Sequence, residues 1–252
     1  MTILLRLLRF AFGSLAMTAC LTSPLTVHAE EFISAPKPLK VNDLFGERMA
    51  YDIKEFGMKV GEAWLAFEGV VDHDGQKVLL IHSYWKVFGV TNDERIYVDP
   101  QTFHTLNVIK DRVKFFCKIN INETYSPAEG KVTIDRDTCG KDSQKVVRKN
   151  APVENIYAAI YRLRMQYAPQ DQRPFPVHLF DRDVNLKFRG PEMLKIFRNK
   201  YPTYHFDGER FAIWLDQSPE RVPLRFDSDV EGHRVTMIMK KRTKEHQVVK
   251  VK

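Results

Sequence analysis

The sequence predicts a mainly β protein: a single antiparallel sheet, strongly curved or partly closed like a half-barrel, with one helix packed on it. Three observations carry this. Short segments alternate apolar and polar residues with period two, turn residues recur between them, and one stretch changes to helical spacing.

The chain opens with a leader. Arg6 and Arg9 precede an apolar run from Phe10 to Leu21, interrupted by Ser14 and Thr18 and stopped by Pro24. That run is shorter than the roughly 20 apolar residues a membrane span needs, so it reads as a signal peptide over residues 1–29, cut after Ala29 in Val27-His28-Ala29. The expected compartment is the periplasm. The alternative reads Met17-Thr18-Ala19-Cys20 as a degenerate lipobox, which makes the protein a membrane-anchored lipoprotein through Cys20.

Residues 30–44, with Pro36 and Pro38, read as an extended segment, and residues 45–244 as one β-rich domain. From Glu47 the chain alternates, with Met49, Tyr51 and Ile53 on one face. Gly57 and Gly61 mark a turn before a strand from Glu62 to Val71. Asp74-Gly75 suits a tight hairpin turn, and the next strand runs from Lys77 to Val87. Further strands are read at Glu94–Val98, Phe103–Val113, Lys114–Tyr125 and Lys131–Arg136, with turns at Asp99-Pro100 and between Ser126 and Gly130. This is the spacing of a β-meander.

One helix interrupts. Pro152 suits a first helical turn, and Ile156, Ala159, Ile160 and Leu163 form an apolar stripe from which Arg162 and Arg164 point away. After a proline-rich linker from Pro169 to Pro176, strands resume at Val177–Phe180, Val184–Arg189, Thr203–Phe206, Arg210–Asp216, Val222–Val230 and Arg234–Arg242. Residues 245–252 form a basic tail, continuing a cationic run from Lys240.

Three cysteines are present, and loss of the leader removes Cys20. The remaining pair, Cys117 and Cys139, suggests a disulfide in an oxidising compartment; such a bridge stabilises by about 3 kcal/mol in the chain-entropy model. Two free buried thiols are the alternative. The formal charge is +7, and +5 without Arg6 and Arg9. No nucleic-acid motif accompanies this modest excess. The basic tail reads as a solvated edge, or as a peripheral contact with anionic headgroups.

Catalytic and metal patterns are missing. No G-x-S-x-G occurs, the histidines lack H-x-x-x-H or H-E-x-x-H spacing, and Asp181-Arg182-Asp183 reads as a hairpin turn. No catalytic residue, metal ligand or cofactor is therefore assigned. Trp64, Tyr84, Trp85 and Tyr97 are the candidate ligand-lining residues, expected on the concave face where the helix leaves the sheet uncovered. Core packing is the alternative role for them.

Several segments together resemble the bacterial exported proteins grouped as domain of unknown function 3108. They begin with Gly46-Glu47-Arg48-Met49-Ala50-Tyr51-Asp52-Ile53, Gly57 and Val60-Gly61-Glu62-Ala63. They continue through Asp99-Pro100 and Ile160-Tyr161-Arg162-Leu163-Arg164. They close with Gly208-Glu209-Arg210-Phe211-Ala212-Ile213-Trp214-Leu215-Asp216, Arg221-Val222-Pro223-Leu224-Arg225 and Gly232. The sequence departs from the pattern at Glu154-Asn155, where an Asp and a Ser are expected. The resemblance implies a curved-sheet envelope protein. The leading expectation is a non-enzymatic protein that binds a lipid, lipoprotein or polysaccharide; the alternatives are an assembly factor working through protein contacts and a hydrolase of envelope polymers.

Overall fold

Period-two alternation does produce strands along almost the whole chain. The computed structural model describes residues 39–167, 173–230 and 233–244, all in a unit spanning Ala35–Lys252. The signal peptide with Ala29 and Cys20, most of the segment 30–44, part of the proline-rich linker, Gly232 and the tail 245–252 lie outside the described residues.

The strands are β1 (Glu47–Glu55), β2 (Met58–His73), β3 (Gln76–Val87), β4 (Val90–Val98), β5 (Thr105–Lys114), β6 (Cys117–Ser126), β7 (Lys131–Thr138) and β8 (Lys141–Arg148). Helix α1 (Ile156–Gln166) follows, then β9 (Phe175–His178), β10 (Asp183–Ile196), β11 (Asn199–Gly208), β12 (Phe211–Asp216), β13 (Pro223–Val230) and β14 (His233–Lys244). They form one 14-stranded sheet in the order β8-β7-β6-β5-β4-β3-β2-β1-β14-β13-β12-β11-β10-β9. All neighbours are antiparallel, and β1 pairs with β14 from Glu47↔Lys244 to Glu55↔Val235. The first and last strands thus meet in mid-sheet, and the two edges, β8 and β9, are joined through the helix.

The sheet is not closed by a ladder between those edges. Residues 149–155 bridge them instead: Lys149 N donates to Gly130 O at 2.8 Å, Glu154 N to His178 O at 2.8 Å, and Asn155 N to Thr105 Oγ1 at 3.0 Å.

Helix α1 is wrapped by the sheet. Ala158, Ala159, Ile160, Tyr161 and Leu163 are all buried, and the Tyr161 ring meets Phe67 edge-on at 4.9 Å. Phe67 also lies within ring-contact range of Phe45 and Phe103, at 5.9 and 6.3 Å. Complete burial of each such side chain contributes about 1.5–3 kcal/mol. The helix starts later than the proline suggested. Asn155 is the N-cap, its side chain accepting from Tyr157 N at 2.8 Å, so Pro152 precedes the helix.

A larger correction concerns Arg164. Expected to point away from the core, it is fully buried, and its guanidinium donates to both carboxylate oxygens of Glu47 on β1. Arg242 on β14 also donates to Glu47, at 2.8 Å, and pairs with Glu220. A helix enclosed on most sides cannot turn every polar side chain outward, so this arginine is satisfied internally.

Two elements lie outside the sequence expectation. Strand β8 was not anticipated, because its alternate positions are nearly all exposed and polar. The β10–β11 hairpin also runs on past Arg189 to a tip at Phe197-Arg198. Near its base Glu192 accepts the indole N–H of Trp214 on β12, and at its tip Phe197 lies 5.6 Å from Lys54 Nζ on β1. This arm therefore runs from β12 across to β1. The boundary read between the strands Phe103–Val113 and Lys114–Tyr125 sits instead at a turn at Phe115-Phe116, and Phe103 lies in the β4–β5 loop with a left-handed φ of 62°.

Candidate functional site

Strand pleating sorts side chains onto two faces. Residues in register with Phe67 and Leu65 share the helix-bearing face, and their neighbours in sequence point the other way. That opposite face carries a groove across β5, β6, β7 and β8.

Its floor is the cross-strand row Lys110↔Ile121↔Arg136↔Ser143. Its walls are the two flanking rows, Ile109↔Asn122↔Asp135↔Gln144 and Asp111↔Asn120↔Asp137↔Asp142. Together these residues line a cavity of about 580 Å³. Backbone forms the floor, because the side chains of Lys110, Ile121 and Arg136 leave on the helix-bearing face.

The walls are rich in acceptors. Asp111 accepts from Arg95 at 2.8 Å, Asp135 from Gln144 Nε2 at 2.7 Å, and Asn122 Oδ1 from Asn107 Nδ2 at 2.7 Å. Asn120 Oδ1 is buried without a hydrogen-bond partner. Four carboxylates and no base stand on the walls, so the groove suits a neutral or cationic ligand with many donors.

Three of the four candidate aromatics lie on the same face as the groove. Row Asp111 continues through Asp93 and Tyr84 to Trp64, and the Trp64 and Tyr84 rings stack at 5.9 Å. Arg48 covers the indole at 3.8 Å. Tyr97 pairs across from Asn107 and stacks on His73 at 3.7 Å. Trp85 is separated from these: it points to the helix-bearing face, with the Arg112 guanidinium 5.6 Å from its ring. The aromatics were expected on the concave, helix-bearing face, and for three of them the pleat dictates the reverse. The groove itself was missed, although polar residues at alternate positions, Asn120 and Asn122, Asp135 and Asp137, Asp142 and Gln144, were its signal.

The helix-bearing face holds a second polar cluster. Lys110 Nζ lies 2.6 Å from Glu123 and 3.8 Å from Glu94, Tyr125 donates to Glu123 at 2.6 Å, and Asn92 donates to Glu94 at 2.9 Å. Burial first, and the Glu123 charge second, hold the Tyr125 hydroxyl well above its ordinary range. Each carboxylate is already engaged by a cation or donor, as a neutralised structural network requires. Among the described residues no group of three or more His, Cys, Asp and Glu side chains is arranged to hold a metal ion. Cys117 and Cys139 are bridged, their Cα atoms 5.4 Å apart, joining the start of β6 to the β7–β8 turn.

Comparison with known proteins locates this architecture. The family model "Protein of unknown function (DUF3108)" matches residues 48–240. The chain belongs to the DUF3108 family. No curated protein matches it. Among solved structures, this DUF3108 chain is similar to a beta-barrel-like protein of domain of unknown function DUF1849 from Brucella abortus. The TM-score is 0.52 at 10% identity, covering 81% of this chain and 99% of that one. At that identity the likeness concerns the fold alone.

The DUF3108 segments quoted from the sequence hold the fold together. Glu47 and Arg164 form the buried pair, and Arg221 Nη1 donates to Arg164 O at 2.7 Å, fixing the end of the helix. At the point of departure, Asn155 caps the helix as a serine would, and Glu154 receives two hydrogen bonds from Arg162, at 3.0 and 2.8 Å.

Proposed function

We propose that this is a non-catalytic binding protein of the bacterial cell envelope that holds a neutral, hydroxyl-rich polymer across its strands, on the face opposite the helix. The groove of acceptor side chains in line with the Trp64–Tyr84 stack carries the proposal. Carboxylates and amides accept from sugar hydroxyls, and aromatic faces cover the apolar faces of the rings. From β2 to β8 the band crosses seven strands, which at about 4.8 Å spacing makes about 29 Å. That length fits several units of a polymer rather than a single sugar.

Filling of the helix-bearing face by α1 and the Phe67, Tyr161 and Phe103 rings favours this face over an acyl-chain cavity inside the sheet. Export is supported by the leader pattern and by a cysteine pair at bonding distance, a combination suited to the periplasm. Affinity electrophoresis through gels containing a neutral β-glucan, with alginate as the anionic control, tests the reading. Retardation by the glucan and none by alginate is expected; equal mobility in all gels removes the proposal.

A second reading has one observation behind it. Strand β8 is an exposed edge, where a partner could add a strand. Lys141, Lys145 and Arg148 on that strand are of the kind that guards edges against such pairing. Cross-linking in cells that yields a protein in place of a glycan would favour it.

A further inference from the structure

One end of the sheet is studded with phenylalanines. Phe56, Phe88 and Phe115 occupy the turns of the β1–β2, β3–β4 and β5–β6 hairpins, with φ of 49°, 46° and 56°. They are 82%, 71% and 71% exposed, and Phe116 beside Phe115 is completely exposed. These are alternate turns of one antiparallel meander, so they lie at the same end, about 10 Å apart. The arm brings a further ring there: Phe197, at φ 53° and 64% exposed, lies by Lys54, two residues before Phe56.

Turn geometry does not call for these rings. A bulky residue with positive φ is an outlier, and the β2–β3 turn at the opposite end uses Asp74-Gly75, at φ 51° and 75°, the pair such hairpins favour. Strain of this kind is retained where it serves a function. The rings are also regularly accompanied by cations. Lys54-Glu55-Phe56, Lys86-Val87-Phe88 and Lys195-Ile196-Phe197 repeat the spacing K-x-F, while Lys114 precedes Phe115 and Lys118 follows the pair. Glu55 is the one acid within two residues of these four tips. The Cys117–Cys139 bridge ties the Phe115–Phe116 tip to its neighbouring turn.

We infer that this end docks on an anionic phospholipid bilayer, with the phenyl rings entering the headgroup and acyl boundary and the lysines meeting lipid phosphates. One or two rings on each of several separate tips do not make the continuous apolar patch that shape-complementary protein contacts use, but a fluid surface admits each tip independently. The flanking ammonium groups complement a negative surface potential. The inference concerns a different part of the molecule from the polymer groove and does not depend on it.

Co-sedimentation of the purified protein with phosphatidylglycerol–phosphatidylethanolamine vesicles, against phosphatidylcholine vesicles, tests it. Binding to the anionic vesicles, weakened by salt, is expected. The triple variant F56N/F88N/F115N should bind at least tenfold more weakly with an unlowered Tm, since asparagine tolerates the left-handed region; its retardation by glucan should be unchanged. K54Q/K86Q/K114Q should lose the preference for anionic lipid. No vesicle binding by the parent protein, undiminished binding by the phenylalanine variant, or lipid-free self-association abolished by that same variant would overturn the inference, the last by making the tips an interface between copies.

Discussion

Arg164 on the helix and Glu47 on the first strand, both wholly withdrawn from solvent, meet through two hydrogen bonds of 2.6 and 3.0 Å. Burial alone would weaken the hold of Arg164 on its proton, but the Glu47 carboxylate more than offsets this and keeps its pKa above the ordinary value. The pair fixes the helix to mid-sheet, where the first and last strands join. Removing one partner leaves a buried charge, so Arg164→Met should destabilise by about 3–5 kcal/mol. The double variant E47L/R164M should recover part of that loss, because Arg242 retains Glu220. Urea midpoints at neutral pH check both.

Glu220 gives this region an acid limit. Its hydrogen bond from Arg242 lowers its pKa from 4.5 to about 2, with Lys244 adding to the effect. A carboxylate whose pKa is depressed by folding stabilises above its unfolded pKa, and that contribution fades as pH falls through the folded value. Between pH 4.5 and 2 the urea midpoint should fall more steeply for the parent protein than for Glu220→Gln.

Gly130 is required twice over. Its φ is +57°, and a Cβ there would come within 2.1 Å of Lys149 O, on the segment that bridges the sheet edges. Gly75, at φ +75° and with open space around it, isolates the first requirement. Gly75→Ala should cost about 1–2 kcal/mol through φ alone. Gly130→Ala should cost distinctly more, as thermal unfolding of the two variants would register.

The Cys117–Cys139 bridge closes a sequence separation of 22 residues. Its removal in C117A/C139A should cost about 3 kcal/mol, and dithiothreitol should shift the parent midpoint without shifting that of the variant.

The sheet was legible where one face is buried. Met49, Tyr51 and Ile53 alternate because they are buried on the helix-bearing face, where Met49 and Tyr51 pair with Leu65 and Ala63, so β1 could be read from its own residues. Strand β8, Lys-Asp-Ser-Gln-Lys-Val-Val-Arg, has little buried surface and so little alternation to read. Arg164 was misplaced because its partner lies 117 residues away, beyond any helical periodicity. The groove was illegible for a related reason: Asp111, Asn120, Asp137 and Asp142 become neighbours only through the register of four strands. Trp64, Tyr84 and Tyr97 could be picked out as aromatic strand residues, but their shared face emerges only from the pleat.

Retardation in the glucan-containing gel, compared among Trp64→Ala, Tyr84→Ala and Trp85→Ala, tests the polymer-binding account most directly. Loss of one stacking ring, at about 0.5–1.5 kcal/mol, should weaken binding by up to about tenfold in the Trp64 and Tyr84 variants and leave Trp85→Ala like the parent. Equal weakening in all three variants, or weakening confined to Trp85→Ala, would contradict it.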